Sequence, residues 1–154
     1  MIREVEYFHG VALVRLCRGG RRSLSVRAHE SGRSAYVLDE QVALYMKYSS
    51  NRLSPWSFSF NAEHQREIAT LTARWSAVFV ALICGSDGIA CLSQDELRRV
   101  LDDDFRPVEW IRVARRKREK YSITGSDGRQ IFKVGDSEFP TKVLAQLVAG
   151  ARQQ

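Results

Sequence analysis

The sequence lacks what a membrane or secreted protein needs. Its longest uninterrupted apolar run, Ala77 to Cys84, is far shorter than the roughly 18 to 20 residues that span a bilayer. Met1-Ile2-Arg3-Glu4 opens without an apolar signal core, so the expectation is a cytoplasmic chain with no membrane partner. Cysteine is scarce: Cys17, Cys84 and Cys91 are odd in number and form no CxxC pair, which predicts reduced thiols in apolar surroundings rather than a disulfide framework. His9, His29 and His64 stand apart, without the spacing of a zinc site. No glycine-rich loop leads into a GK[ST] or GxGxxG pattern; Gly85-Ser86-Asp87-Gly88 and Gly125-Ser126-Asp127-Gly128 read as turns.

What is present fits one α+β domain over residues 1–154, a length at which a single core forms without staples. Tyr7, Val11, Val14 and Cys17 fall at helical spacing within Glu4 to Arg18, and Gly19-Gly20 stops that helix. Strand patterns follow at Ser23–His29, Ala35–Leu38 and Val42–Tyr48, the last two joined by an Asp39-Glu40-Gln41 turn, and again at Trp56–Phe60. Asn61 caps a helix to about Trp75. Val78–Cys84 and Ile89–Leu92 form a hairpin, and Ser93 with Glu96 gives a capping box for a helix from Gln94. Strands around Trp110–Arg112, Tyr121–Thr124 and Ile131–Val134 precede a closing helix opened by Pro140. The predicted order is α-β-β-β-β-α-β-β-α-β-β-β-α, a mixed or antiparallel sheet flanked by helices.

Charge is uneven. The chain carries +6 in total, distributed as +4 over residues 1–60, −3 over 61–108 and +5 over 109–154. Two runs hold the basic excess: Arg15, Arg18, Arg21 and Arg22, and Arg112, Arg115, Arg116, Lys117, Arg118 and Lys120. The forked donors of arginine suit phosphate, and an excess of this kind points to a nucleic-acid partner; a solvated, solubilising loop is the plainer alternative. Arg52, in the polar loop Ser49 to Trp56, and Lys47 extend the candidate surface. Trp110 and Tyr121 flank the second run and are expected to anchor the core.

The segment Leu44-Tyr45-Met46-Lys47-Tyr48-Ser49-Ser50 ends the third strand of a helix, three strands, helix, strand series. This arrangement resembles the core of the PD-(D/E)XK nuclease-like superfamily. The resemblance implies a lysine late in the third strand, a Glu or Asp two residues before it and an Asp on the preceding strand, which together hold Mg²⁺ that activates water. Lys47 is present; the matching carboxylate position is Tyr45, and Ser34 to Tyr36, expected opposite Tyr45 to Lys47, hold no acid. Tyr7-Phe8-His9-Gly10, Tyr45-Met46-Lys47-Tyr48-Ser49, Ser54-Pro55-Trp56 and Gly88-Ile89 also resemble small bacterial proteins of unknown function, a likeness that implies no activity.

The leading expectation is a non-catalytic domain on a degenerate nuclease-like core, bound to nucleic acid or to a nucleic-acid-processing complex, with no cofactor and no metal. One alternative is a divergent Mg²⁺-dependent nuclease using Glu30 or Asp39 with Lys47. Another is a protein-interaction module, including a homodimer, in which acidic Asp102 to Asp104 and the basic C-terminal hairpin meet complementary partner surfaces. Cys84 beside His29 or His64 is a further nucleophile candidate, although thiols at buried strand ends are generally inert.

Overall fold

The computed structural model describes residues 1–20, 23–104 and 106–152. The observed order is α1 (Glu4–Gly19), β1 (Val26–Ala28), β2 (Ala35–Leu38), β3 (Val42–Ser49), β4 (Trp56–Asn61), α2 (Ala62–Arg74), β5 (Ala77–Cys84), β6 (Gly88–Ser93), α3 (Gln94–Val100), β7 (Val108–Ala114), β8 (Ser122–Gly125), β9 (Gly128–Arg129) and α4 (Glu138–Arg152). This is the predicted α+β sequence of elements.

The strands form two sheets. The first runs β1-β2-β3-β5-β6 and the second β4-β7-β8-β9. In the first, β2 is antiparallel to β1 and β3, whereas β3 and β5 run parallel from Val42↔Ala77 to Ser49↔Cys84. Both faces of this sheet are covered, as the near-continuous apolar sequence of β5 requires. One face, with Leu44, Met46, Ile83 and Cys91, packs on α1 and α4 through Ala12, Leu16, Val143 and Leu147. The other, with Tyr45, Val80, Leu82 and Cys84, packs on the second sheet and on α2 and α3 through Phe58, Ile111, Ile68 and Leu97.

Local chemistry fixes the junctions. Asn61 and His64 form a reciprocal capping box at α2, and Ser93 and Glu96 form another at α3. Gly85 has a left-handed φ of 54°, and a Cβ there would collide with the Asn51 carbonyl. Only glycine lets the β5–β6 turn lie against the loop after β3.

The structure changes several local expectations. The stripe Tyr7, Val11 and Val14 is exposed; the buried line of α1 is His9, Ala12 and Leu16. Small Ala12 lets α1 approach the sheet, and the Tyr36 hydroxyl satisfies His9, whereas apolar periodicity alone favours the larger side chains. Cys17 is therefore exposed, while Cys84 and Cys91 are buried. Trp110 points outward on β7, 46% exposed, because the inward positions of that strand belong to Glu109, Ile111 and Val113. The expected strand Ile131–Val134 is reduced to a bridge between Val134 and Tyr121, and Ile131 and Phe132 are exposed. The short hairpin instead pairs β8 with Gly128–Arg129. Asp39 and Glu40 both take left-handed φ in the β2–β3 turn, and Tyr36 pairs with Leu44 rather than within the Tyr45 to Lys47 stretch.

No helix of the described residues is long and apolar enough to cross a membrane.

Candidate functional site

The loop Ser49 to Pro55 and the β7–β8 connection meet at one end of the molecule. Trp56 begins β4 and drops into the core, 2% exposed, donating its indole N–H to the Asn51 carbonyl at 2.9 Å. Ser54 accepts the Arg115 backbone N–H at 3.1 Å, which ties the two segments together. Between them lies a cleft of about 420 Å³ lined by Arg52, Leu53, Ser54, Asp87 and Arg115 to Arg118.

Arg115 is built into the cleft floor. Its guanidinium lies 2.7 Å from Asp87 and 3.5 Å from Asp136 and stacks over the Tyr121 ring at 4.5 Å. The Tyr121 hydroxyl also donates to Asp87, at 2.7 Å. Burial and this carboxylate raise the Tyr121 phenol, so the ring stays neutral. The rim is different: Arg52, Arg116, Lys117 and Arg118 are exposed, and among the described residues none has a carboxylate partner. Arg118 sits at φ 68° in the turn, where Glu119 donates back to the Arg116 carbonyl at 3.0 Å, so the three cations fan from one tight bend. Lys120 is also exposed beyond it.

The outer face of the second sheet continues this surface. Trp110 and Arg112 share it, opposite Ser59 and Ser57 of β4, and Arg112 is also paired with Thr124. An exposed indole and a guanidinium thus stand on one face beside Ser57, Ser59 and Thr124, with Val108 exposed at its edge.

Arg15 and Arg18 do not join it. Phe8 stacks on Tyr48 near the end of β3, with ring centroids 4.6 Å apart, and Arg15 and Arg18 lie roughly 10 and 15 Å further along α1. They also belong to the helical layer on the opposite face of the first sheet. Arg21 and Arg22 lie outside the described residues.

Lys47 occupies a separate, half-buried polar cluster. Its Nζ is 3.3 Å from His64 Nδ1 and 5.3 Å from the Phe60 ring centroid. Burial pulls its pKa down, and Glu67 acts against that shift. Tyr45, two residues earlier on the same face, donates its hydroxyl to Glu67 Oε2 at 2.6 Å. Gly32 lies flush on that carboxylate, where a Cβ would clash. His64 is held below its ordinary value, by burial first and then by Lys47.

The carboxylates expected beside Lys47 are elsewhere. Glu30 contacts Arg27, Arg74 and His29. Asp39 accepts the Ser25 N–H at 2.8 Å in the turn that starts β3, at the other end of the strand from Lys47. Glu67 is the acid the sequence reading missed, because it arrives on α2 with no fixed spacing to the strand. Cys84 is buried, and burial raises its thiol; its sulfur is directed to the Leu82 carbonyl at 3.5 Å.

No family model matches the chain, and no similar curated protein or solved structure was found for it.

Proposed function

We propose that this protein binds nucleic acid, without cutting it, through the cleft between Arg52 and the Arg116–Arg118 bend and the adjoining face that carries Trp110 and Arg112. The observation that carries this reading is the convergence of Arg52, Arg116, Lys117 and Arg118 on one cleft with no acidic partner among the described residues. Cations of this kind contact phosphate and release counterions, which makes affinity fall steeply with salt. An exposed indole supplies a base-stacking surface that sequence does not restrict. The core order α1, antiparallel β1-β2-β3, α2 and a β5 parallel to β3 supports the nuclease-like scaffold, and Tyr45 in place of the strand carboxylate supports its being non-catalytic.

The test is fluorescence anisotropy with labelled single-stranded and duplex oligonucleotides at three salt concentrations, without divalent metal. Reversing Arg116, Lys117 and Arg118 to Glu should weaken binding and reduce the salt slope by about 2 to 3. Arg115 is left intact because it holds Asp87 and Asp136. Trp110→Ala should weaken single-strand binding by about 1–3 kcal/mol with the salt slope unchanged. Equal binding by the charge-reversed protein would refute the assignment.

A second reading, a divergent Mg²⁺-dependent nuclease, is favoured by Glu67 and His64 beside Lys47. There Glu67 would share the metal with substrate phosphate while Lys47 steadies the attacking water. Supercoiled plasmid incubated with Mg²⁺ or Mn²⁺ decides: nicking that disappears in both Lys47→Ala and Glu67→Gln establishes this reading, and intact plasmid leaves the non-catalytic one.

A further inference from the structure

A further cluster gathers where α3, β7 and the β8–β9 turn meet. Gly125 and Gly128 bring the turn against the end of α3; a Cβ on either would strike the carbonyls of Val100 or Arg99. Within the turn, Asp127 donates its N–H to the Val100 carbonyl at 3.0 Å, and its Oδ2 accepts the Asp102 N–H at 2.9 Å. Glu109, an inward position of β7 opposite Phe60, points into the same space. Carboxylate oxygens of Asp102, Glu109 and Asp127 lie within 4.8 Å of one another.

Glu109 makes this more than an acidic surface patch. It is 0% exposed, and no N–H or hydroxyl donor among the described residues reaches either of its carboxylate oxygens; the group it faces is another carboxyl, that of Asp127. A buried carboxylate without a donor is costly unless a proton or a cation neutralises it. Burial, then Asp127 and Asp102, push the Glu109 carboxyl up, with Arg106 opposing them.

We propose that Asp102, Glu109 and Asp127 bind one hard divalent cation of the Ca²⁺ or Mn²⁺ class. The donor set is oxygen only, which suits such ions and excludes soft ones. Two ligands are buried or half-buried and Asp102 is exposed, so water completes the coordination on the open side. The bound ion joins the segment after α3, the start of β7 and the β8–β9 turn. The site is independent of the nucleic-acid reading and is tested without oligonucleotide.

Chelator-treated protein is titrated calorimetrically with Ca²⁺ and, separately, with Mn²⁺ at pH 7.5. One ion per chain is expected for at least one of the two, with affinity reduced about tenfold or more in Glu109→Gln and in Asp102→Asn. Asp103→Asn, at a residue paired with Arg98, should bind as the unsubstituted protein does. Asp102 is exposed and Asn keeps the oxygen that accepts the Asp104 N–H, so this variant carries the test if Glu109→Gln fails to fold. Absence of stoichiometric binding by both ions at millimolar concentration, or undiminished binding in Asp102→Asn, overturns the proposal.

Discussion

His9 is sealed between α1 and the first sheet, 5% exposed, with Nδ1 2.7 Å from the Tyr36 hydroxyl. Burial holds its pKa below 6.5. The unfolded chain therefore takes up the proton more readily than the folded one, and stability is fully present above about pH 6.5 and falls as pH drops through the folded value. His64 is shifted the same way. Glu109, whose carboxyl is raised, contributes with the opposite sign over this range, so the difference carries the test: thermal midpoints of His9→Gln, which keeps an acceptor for Tyr36, should gain on those of the unsubstituted protein as pH drops from 7.5 to 5. An unchanged profile would assign the titration elsewhere. At this scale the sequence spoke unevenly. Lys47 and the Arg52 and Arg116–Arg118 cations are legible as charge and spacing. Glu67 and the Asp102, Glu109 and Asp127 group are not, because each is assembled by contacts between elements distant in sequence.

Among elements, α1 separates what patterning reveals from what packing decides. Its limits are set by its glycine stop and were readable; its buried face was not, because His9 and Ala12 count little in a hydrophobic pattern yet take the inner line. Leu16→Ala should cost about 2–5 kcal/mol in denaturant unfolding, since it opens a cavity between α1, α4 and the sheet. Val14→Ser, on the outer stripe, should change stability by no more than about 0.5 kcal/mol. Equal losses would place the wrong face inward. The capping boxes of α2 and α3 lie where local chemistry predicts, whereas the last hairpin was displaced. Its strand is set by the turn at Ser126-Asp127 and the close approach of two glycines to α3, rather than by the apolar pair Ile131-Phe132, which faces solvent.

Over the whole molecule, one sheet is shared by two cores, and the cysteines divide between them. Cys84 belongs to the core with α2, α3 and the second sheet, and Cys91 to the core with α1 and α4. Burial raises both thiols, Cys91 to about 12, so neither is nucleophilic while the fold is closed. A disulfide-exchange reagent should therefore find one reactive thiol per native chain, Cys17, and three after denaturation. The slow modification of the other two is a built-in clock for each layer: identical rates mean that the layers open together, and unequal rates mean that one peels from the shared sheet first. Because β5 and β6 are hydrogen-bonded neighbours that carry these thiols to opposite faces, the expected result is a single rate, and the protein needs no added label to show it.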